Sequence, residues 1–421
     1  MADEKTGAPV SGTILVVGGG ISGITTALEA AEVGYEVFIV EKNPYLGGRV
    51  AQLNKYFPKL CPPTCGLEIN FQRIKNNKNI KWFTLTEVEK ISGGAGNYDV
   101  TLKTNPRYVN NNCTCCGKCA EVCDVEIPNE FNFGMDRRKA AYLPHEMAFP
   151  QRYVLDQSII GKPTAQKCKD SCAYNAIDLD DKARTFDIKA ASIVWATGWN
   201  PYDAKKMDNL SFGKVQNVIT NMMMERLAAV NGPTKGKIVR PSDGKQVNNI
   251  AFVQCAGSRD DNHLPFCSYI CCLASLKQTT YIREANPKSK ATIFYIDLRT
   301  PGRYEKFYKK VKADTNVSFV KGKVAKIEED TETKDVIVTV EDTLSGKKIH
   351  ERFDMVVLAT GMEPSTATSK VPGNAKYDEN NFVISDEILS TGCVKKPSDV
   401  MSSGQTATGT ALKAIQTLVR R

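Results

Sequence analysis

Nowhere in this chain do eighteen apolar residues run consecutively, so it carries no stretch with the length and apolarity of a membrane-spanning helix. The opening stretch MADEKTGAPVSG carries acids and lacks the apolar centre of a secretory signal. Both absences predict a cytoplasmic protein. Histidine is scarce: His145, His263 and His350 are the three copies, and their spacing makes neither a metal-binding pair nor a catalytic triad. His145 and His350 read as surface residues, while His263, inside a cysteine-bearing loop, leaves a proton shuttle open. The net charge of +9 comes without a basic stripe interleaved with aromatics, which argues against nucleic acid as a partner. That charge is spread along the chain and is densest in KKVKADTNVSFVKGK. It reads as a solvated basic surface, or else as a docking face for acidic partners or an anionic membrane surface.

What is present points to an ordinary folded protein of several parts. A chain of 421 residues is long enough for two or three cores, and 42% apolar with 24% charged residues fits a globular composition. The chain contains 14 cysteines, which in a reducing compartment are poor candidates for structural disulfides. Clustered ones therefore read first as metal ligands or redox groups.

Near the start, GTILVVGGGISGITTALEAAEVGYEVFIVE reads as strand, tight turn, helix and second strand. Gly18, Gly20 and Gly23 satisfy G-x-G-x-x-G, the turn that lets backbone approach a pyrophosphate at a helix N-terminus. Glu41 ends the second strand, where a carboxylate can take the ribose hydroxyls of an adenosine. Gly47, Gly48 and Arg49 in NPYLGGRV supply a second backbone loop near the phosphates. This pairing resembles the FAD half of the two-dinucleotide-domain flavoproteins, which favours FAD over NAD.

An internal repeat extends that resemblance. TEVEKISGGAGNYDVTLKT followed by ASIVWATGWNP is echoed by GKVAKIEEDTETKDVIVTVEDT followed by FDMVVLATGMEP. Each half supplies a β-meander and then a strand ending in Ala-Thr-Gly. In thioredoxin-reductase-like flavoproteins such strands close the first FAD segment and the second domain, which implies contacts from Ala196, Thr197 and Gly198 and from Thr360 and Gly361. The resemblance also implies a return to the FAD domain in DVMSSGQTATGTALKAIQTLVRR. Gly404 would there face the ribityl and phosphate region, with Gln405 where the family usually carries an acid.

Two cysteine sets carry the remaining chemistry. Cys113, Cys116, Cys119 and Cys123 give the ferredoxin run C-x2-C-x2-C-x3-C, whose fourth member in two-cluster ferredoxins ligates the other cluster. The fourth ligand of the first cluster is then Cys172, at the end of KCKDSCAYNAI. The second cluster would need cysteines at 162, 165 and 168, where the chain has Lys162, Ala165 and Cys168. One 4Fe-4S cluster on Cys113, Cys116, Cys119 and Cys172 is expected. Further on, the strand NNIAFVQCAGSRDD runs into Cys255, Ala256, Gly257 and Ser258 instead of a second glycine fingerprint, so no nicotinamide site is expected. Cys255, Cys267, Cys271 and Cys272 form C-x11-C-x3-C-C, which can hold a second 4Fe-4S cluster; four core cysteines are the plainer alternative. Cys61 and Cys65 in FPKLCPPTCGLEINF read either as a redox pair beside a flavin or as a pair serving packing or an interface.

CAGSRD, CSYICC, FYIDLRTPGRYEKFY and the ferredoxin segment together resemble the A subunits of heterodisulfide reductases, a family of FAD and iron-sulfur electron-transfer proteins. Within it the chain is similar to the branch found in the quinone-interacting membrane-bound oxidoreductases of sulfate reducers. The resemblance implies an α/β, two-dinucleotide-domain flavoprotein with an inserted ferredoxin-like module. The expected segments are 1–106 (FAD domain, first part), 107–180 (insert), 181–203 (FAD domain, continued), 204–361 (second Rossmann-like domain with an iron-sulfur site) and 362–421 (FAD domain, last part). It also implies Lys277 near flavin N5, although a solvated helix lysine is the alternative there. The implied function is electron transfer between a membrane quinone pool and adenylylsulfate reductase, with flavin-based bifurcation as a variant. Membrane association would come only through partner subunits, at the inner face of the cytoplasmic membrane. An independent NADPH-dependent disulfide reductase lacks its second fingerprint and its cysteine pair here, and a scaffold or redox sensor is the non-enzymatic alternative.

Overall fold

A computed structural model describes residues 12–57, 59–385 and 388–419. The stretch 1–11, most of the segment read as lacking a secretory signal, lies outside them. The apolar run Thr13–Val17 forms a strand that is buried throughout, as the central strand of a parallel sheet requires. It pairs in parallel with Glu36–Glu41 on one side and Ser192–Trp195 on the other. Ile80–Thr84 and Leu389–Ser390 extend the sheet to five parallel strands. Helix Ile21–Glu32 lies against this sheet with Ile24, Ala27, Leu28 and Ala31 inward. Helix Val400–Val419 packs beside it through the small residues Ala407, Ala411 and Ala414, which permit close approach.

The same plan recurs in the middle of the chain. Val218–Thr220, Met355–Thr360, Asn249–Ala256, Lys290–Tyr295 and Val317–Lys321 lie in that order as a second five-stranded parallel sheet. Each sheet has a three-stranded antiparallel meander: Thr86–Gly94, Asn97–Thr104 and Arg184–Ala190 for the first, Val324–Glu329, Val336–Asp342 and Lys347–Phe353 for the second. The repeat read in the sequence is therefore a repeat of architecture. Trp199–Pro201 pairs antiparallel with Met362–Pro364 where the two halves meet. Among the described residues no helix is long and apolar enough to cross a membrane.

A small module sits between the last two strands of the first meander. It contains helices Lys118–Val122 and Pro163–Asp170 and two short hairpins around a core that includes Tyr108, Leu155, Ile159 and Ile177. Its neck is closed by Asp181, whose carboxylate accepts from the backbone N–H of Arg107 at 3.0 Å and of Tyr108 at 3.2 Å. The buried Arg107 side chain then donates to the Pro44 carbonyl at 2.6 Å and to Thr84 Oγ1 at 2.8 Å, holding the module against the first sheet.

Candidate functional site

At the carboxyl ends of the first sheet's strands lies a cavity of about 570 Å³. The strand-to-helix turn forms its floor. Gly23 allows the helix to meet the turn, since a Cβ there would stand 1.8 Å from the Gly18 carbonyl oxygen. Helix Ile21–Glu32 has no side-chain cap and no acid in its first turn, so its N-terminal N–H groups remain available for an anion. Gly48 has φ +56°, and a Cβ on it would come within 2.9 Å of Gly20 Cα. The second glycine loop is thereby pressed onto the first, with Gly47 N–H donating to the Gly19 carbonyl at 2.7 Å.

Gly18, Gly20, Glu41, Gly48, Arg49, Ala196, Thr197 and Gly198 line the cavity; Gly23 and Gly47 shape it from behind. The buried Glu41 carboxylate accepts from Gly19 N–H at 2.7 Å, Asn43 N–H at 2.8 Å and Asn43 Nδ2 at 2.7 Å. Burial pushes its pKa above the ordinary carboxylate value, and those three donors oppose the rise. Both Asn43 donors end on Oε1, so Oε2, which accepts only from Gly19, keeps a lone pair for a hydroxyl donor. Arg49 donates to the Trp199 carbonyl at 3.2 Å and to Asn200 Oδ1 at 2.9 Å, which fixes its guanidinium at the rim.

The inserted module supplies a wall that the sequence did not reveal. Phe131, Arg138, Tyr142 and Pro144 all line the cavity. The guanidinium of Arg138 stands over the Tyr142 ring, and its buried Nε has no hydrogen-bond partner among the described residues. Behind Phe131, His145 stacks at 4.7 Å and Arg226 lies over the ring at 4.7 Å. Arg226 is almost fully buried and donates to Asn132 Oδ1 at 2.8 Å, tying the second half to this wall. His145, expected at the surface, is half-buried instead, packed against the Phe131 and Tyr45 rings where the module folds back over the first sheet.

Three expectations need correction. Gly404 does not face the cavity: it lies inside helix Val400–Val419, because the chain returns earlier, at Thr391–Val394. Cys393 and Ser403 line the cavity in its place, with the Cys393 thiol donating to the Ser398 carbonyl at 3.4 Å. Thr360 and Gly361 end the second sheet's strand and lie beside Cys271, whose thiol is 3.8 Å from the Thr360 carbonyl, and not in the cavity. Lys277 is neither solvated nor in the cavity. It is 5% exposed, with Nζ 3.0 Å from Glu225 Oε1 and donating to the Lys55 carbonyl at 2.5 Å. Glu225 also accepts from Gln278 at 2.7 Å, Tyr281 at 3.0 Å and Asn54 N–H at 2.9 Å, so this network fastens residues 54–55 to the second half.

Cys61 is half-buried and Cys65 exposed, and neither lines the cavity. Both thiols lie near Tyr56, whose pKa is raised by burial and by the two sulfurs. Phe57 packs edge-on against Tyr304 at 5.0 Å and Phe307 at 5.2 Å, which sets this loop against the second half.

In the module, Cys113, Cys116, Cys119 and Cys172 surround one small apolar pocket with Val109, Tyr153, Ala176 and Ile177. Burial, with the neighbouring thiols, pushes Cys119 up to about 12. Cys115 lies beside Cys113 but does not line that pocket, and its thiol donates to the Gln151 carbonyl at 3.1 Å. Cys123 and Cys168 face one another in the module's core, and Ala165 fills it where another ligand would stand. In the second half, Cys255 ends strand Asn249–Ala256 with φ +55°, and Cys271 and Cys272 begin helix Cys271–Ala285. Burial and the neighbouring thiols push Cys255 up to about 11 and Cys271 well above the ordinary thiol value. Between strand Asn249–Ala256 and helix Cys271–Ala285 the chain runs through residues 257–270, and Gly257 packs so closely on the Tyr202 ring that a Cβ there would meet it at 2.5 Å.

Among the described residues, no three His, Cys, Asp or Glu side chains are gathered as the ligands of a single metal ion. A cubane spreads its ligands wider, because each thiolate bonds a different iron. Backbone N–H groups aimed at the sulfurs fit such a centre, at 3.4 Å each: Ala176 to Cys172, Tyr269 to Cys267 and Arg299 to Cys272.

Comparison with known proteins agrees with this geometry. Residues 13–64 match the FAD dependent oxidoreductase family. The chain is 37% identical, over 99% of its length and 66% of the relative's, to the second iron-sulfur A subunit of the CoB–CoM heterodisulfide reductase of Methanopyrus kandleri. It is 40% identical, over 86% of its length and 55% of the relative's, to the corresponding A subunit of Methanocaldococcus jannaschii. The chain thus spans between half and two thirds of the length of these curated relatives. In fold it is similar to the thioredoxin reductase of Lactococcus lactis, with TM-score 0.53 and 13% identity over 98% of this chain and 100% of that one. The thioredoxin reductase of T. acidophilum gives TM-score 0.51 and 15% identity over 97% and 99%. Its cavity, its doubled α/β plan and its resemblance to these A subunits over nearly its whole length make this chain a member of the heterodisulfide reductase A-subunit family of oxidoreductases.

Proposed function

We propose that this chain is the FAD- and iron-sulfur-bearing electron-transfer component of a multi-subunit complex. FAD, when bound, converts between two-electron and one-electron transfer, and a 4Fe-4S cluster moves single electrons. The observation that carries the reading is the shared wall: Phe131, Arg138 and Tyr142 come from the cysteine-bearing module and line the same cavity as the glycine turn. Gly18, Gly20 and the helix behind them would hold the pyrophosphate, Glu41 the ribose, and Cys393 and Ser403 the far side. Cys113, Cys116, Cys119 and Cys172 would hold one cluster; Cys255, Cys267, Cys271 and Cys272 would hold the other. Lys277 would act on the flavin only after release from Glu225, so its part is that of a charge held in reserve. Cys61 and Cys65 would serve a docked protein, since they lie outside the cavity.

Two partner sets are compatible with that role. A heterodisulfide reductase complex is favoured by the relatives' own names. A quinone-interacting membrane complex delivering electrons to adenylylsulfate reductase is what the likeness to that branch of the family implies, and would keep the chain at the inner face of the cytoplasmic membrane through its partners. The test is anaerobic purification with flavin, iron and sulfide quantification, identification of co-purifying subunits, and stopped-flow mixing with NADH and NADPH. One FAD, about eight irons per chain and no direct bleaching by either nicotinamide are expected. Rapid, saturable bleaching without a partner would overturn the reading in favour of an independent reductase.

A further inference from the structure

We propose that Gln254 is a hydrogen-bond donor to the Cys272 sulfur and thereby raises the reduction potential of the centre held by Cys255, Cys267, Cys271 and Cys272. The inference rests on the reading of that set as a cluster site. Gln254 is 5% exposed, and its Nε2 has no hydrogen-bond partner among the described residues. Its other amide atom, Oε1, accepts from the Cys272 thiol at 3.4 Å. A buried amide that satisfies one end and leaves the other unpaired is held where a different partner arrangement is intended.

The backbone is built for this placement. The ladder between strands Asn249–Ala256 and Met355–Thr360 shifts register between Val253 and Ala256, so Gln254 and Cys255 fall in the irregular stretch. A regular strand sends successive side chains to opposite faces. Here the irregularity and the positive φ of Cys255 bring Gln254 to Cys272, while Cys255 stays near enough to Cys272 to sense its charge.

A cysteine sulfur bonded to iron carries no hydrogen and can only accept. The amide must then present its N–H₂ end, and because its oxygen and nitrogen are nearly the same size, a half-turn about the terminal bond does this without displacing neighbours. Nε2 then takes the Cys272 contact and Oε1 gives it up, so that the end facing the acceptor sulfur is the donor. Cys272 would then accept from two N–H groups, Gln254 and the backbone of Arg299 at 3.4 Å. Such donors stabilise the reduced, more negative state, since added charge falls partly on the ligand sulfurs.

The test is a dithionite titration of the anaerobically purified full chain with redox mediators, followed by electron paramagnetic resonance. In Gln254→Leu one of two signals should move to lower potential with iron content unchanged, and in Gln254→Glu, which adds a negative charge, it should move further. Should Gln254→Leu lose iron, the unsubstituted chain labelled with ¹⁵N at the glutamine side chain decides: a ¹⁵N coupling to the reduced centre is expected. Unmoved midpoints with full iron, or no coupling, would overturn the role of Gln254. A Cys272→Ala chain that keeps both signals and all its iron would instead remove the cluster reading on which the inference stands.

Discussion

The Arg138 guanidinium carbon lies 3.6 Å from the centre of the Tyr142 ring, on the cavity wall contributed by the inserted module. A cation stacked in this way is held in place at the cavity wall, where its charge can meet an anionic ligand. Arg138→Ala should therefore weaken FAD retention about 10-fold or more, the effect of losing one charge-assisted hydrogen bond. Flavin occupancy after gel filtration measures it, and unchanged occupancy would assign the wall a purely structural part.

Cys172→Ser should lower the iron content from about eight to about four per chain and leave the flavin in place. Cys123→Ser should leave iron unchanged, because Cys123 lies in the module's core facing Cys168 and outside the pocket of the other four. Colorimetric iron assay on both variants checks the pairing, and iron loss in Cys123→Ser would refute it.

Breaking the Lys277–Glu225 pair from one side should be costly. Glu225→Ala leaves a buried ammonium with the Lys55 carbonyl and the Tyr281 ring but no opposing charge among the described residues, and removing one member of a buried pair costs about 3–5 kcal/mol. The double variant Glu225→Leu with Lys277→Met should recover most of the loss. Thermal unfolding of the two variants beside the parent gives the comparison, and an unaltered melting temperature in Glu225→Ala would show the network to be dispensable.

His145 should make the fold acid-sensitive. Burial, with the nearby Arg226 charge, pulls its pKa from 6.5 to about 4. Between those values the unfolded chain binds a proton that the folded one refuses, so stability falls as pH drops from about 6.5 to about 4 and the effect is complete below. The full contribution is on the order of 3 kcal/mol. Denaturant melts of the parent and His145→Gln should converge in this window relative to pH 7.5, and parallel pH curves would exclude His145 as the cause.

What the sequence disclosed was local in origin. The turn from Gly18 to Gly23, the carboxylate of Glu41 and the spacing of Cys113, Cys116 and Cys119 each follow from chemistry within a few residues. The repeated meander was legible because two separate stretches solve one packing problem in one way. Contacts between distant segments were not. Arg138 reaches the cavity because the module folds back over the first sheet, and Lys277 meets Glu225 across two helices whose facing sides no spacing reveals. The resemblance to thioredoxin-reductase-like flavoproteins implies the return to the FAD domain at Gly404. In the structure the small residues there serve the contact between helices Ile21–Glu32 and Val400–Val419, and Gly392 with φ +67° makes the turn.

The first sheet takes its outer strand, Leu389–Ser390, and a covering helix, Val400–Val419, from residues that follow the whole of the second sheet. During synthesis the second half can therefore be finished while the half begun earlier still lacks an edge and a flank. At ordinary elongation rates the interval between residues 360 and 419 lasts on the order of seconds. Over that interval the residues of the glycine turn have been made but Cys393 and Ser403 have yet to arrive, so the cavity wall is complete only at the end of translation of this region and not at its beginning.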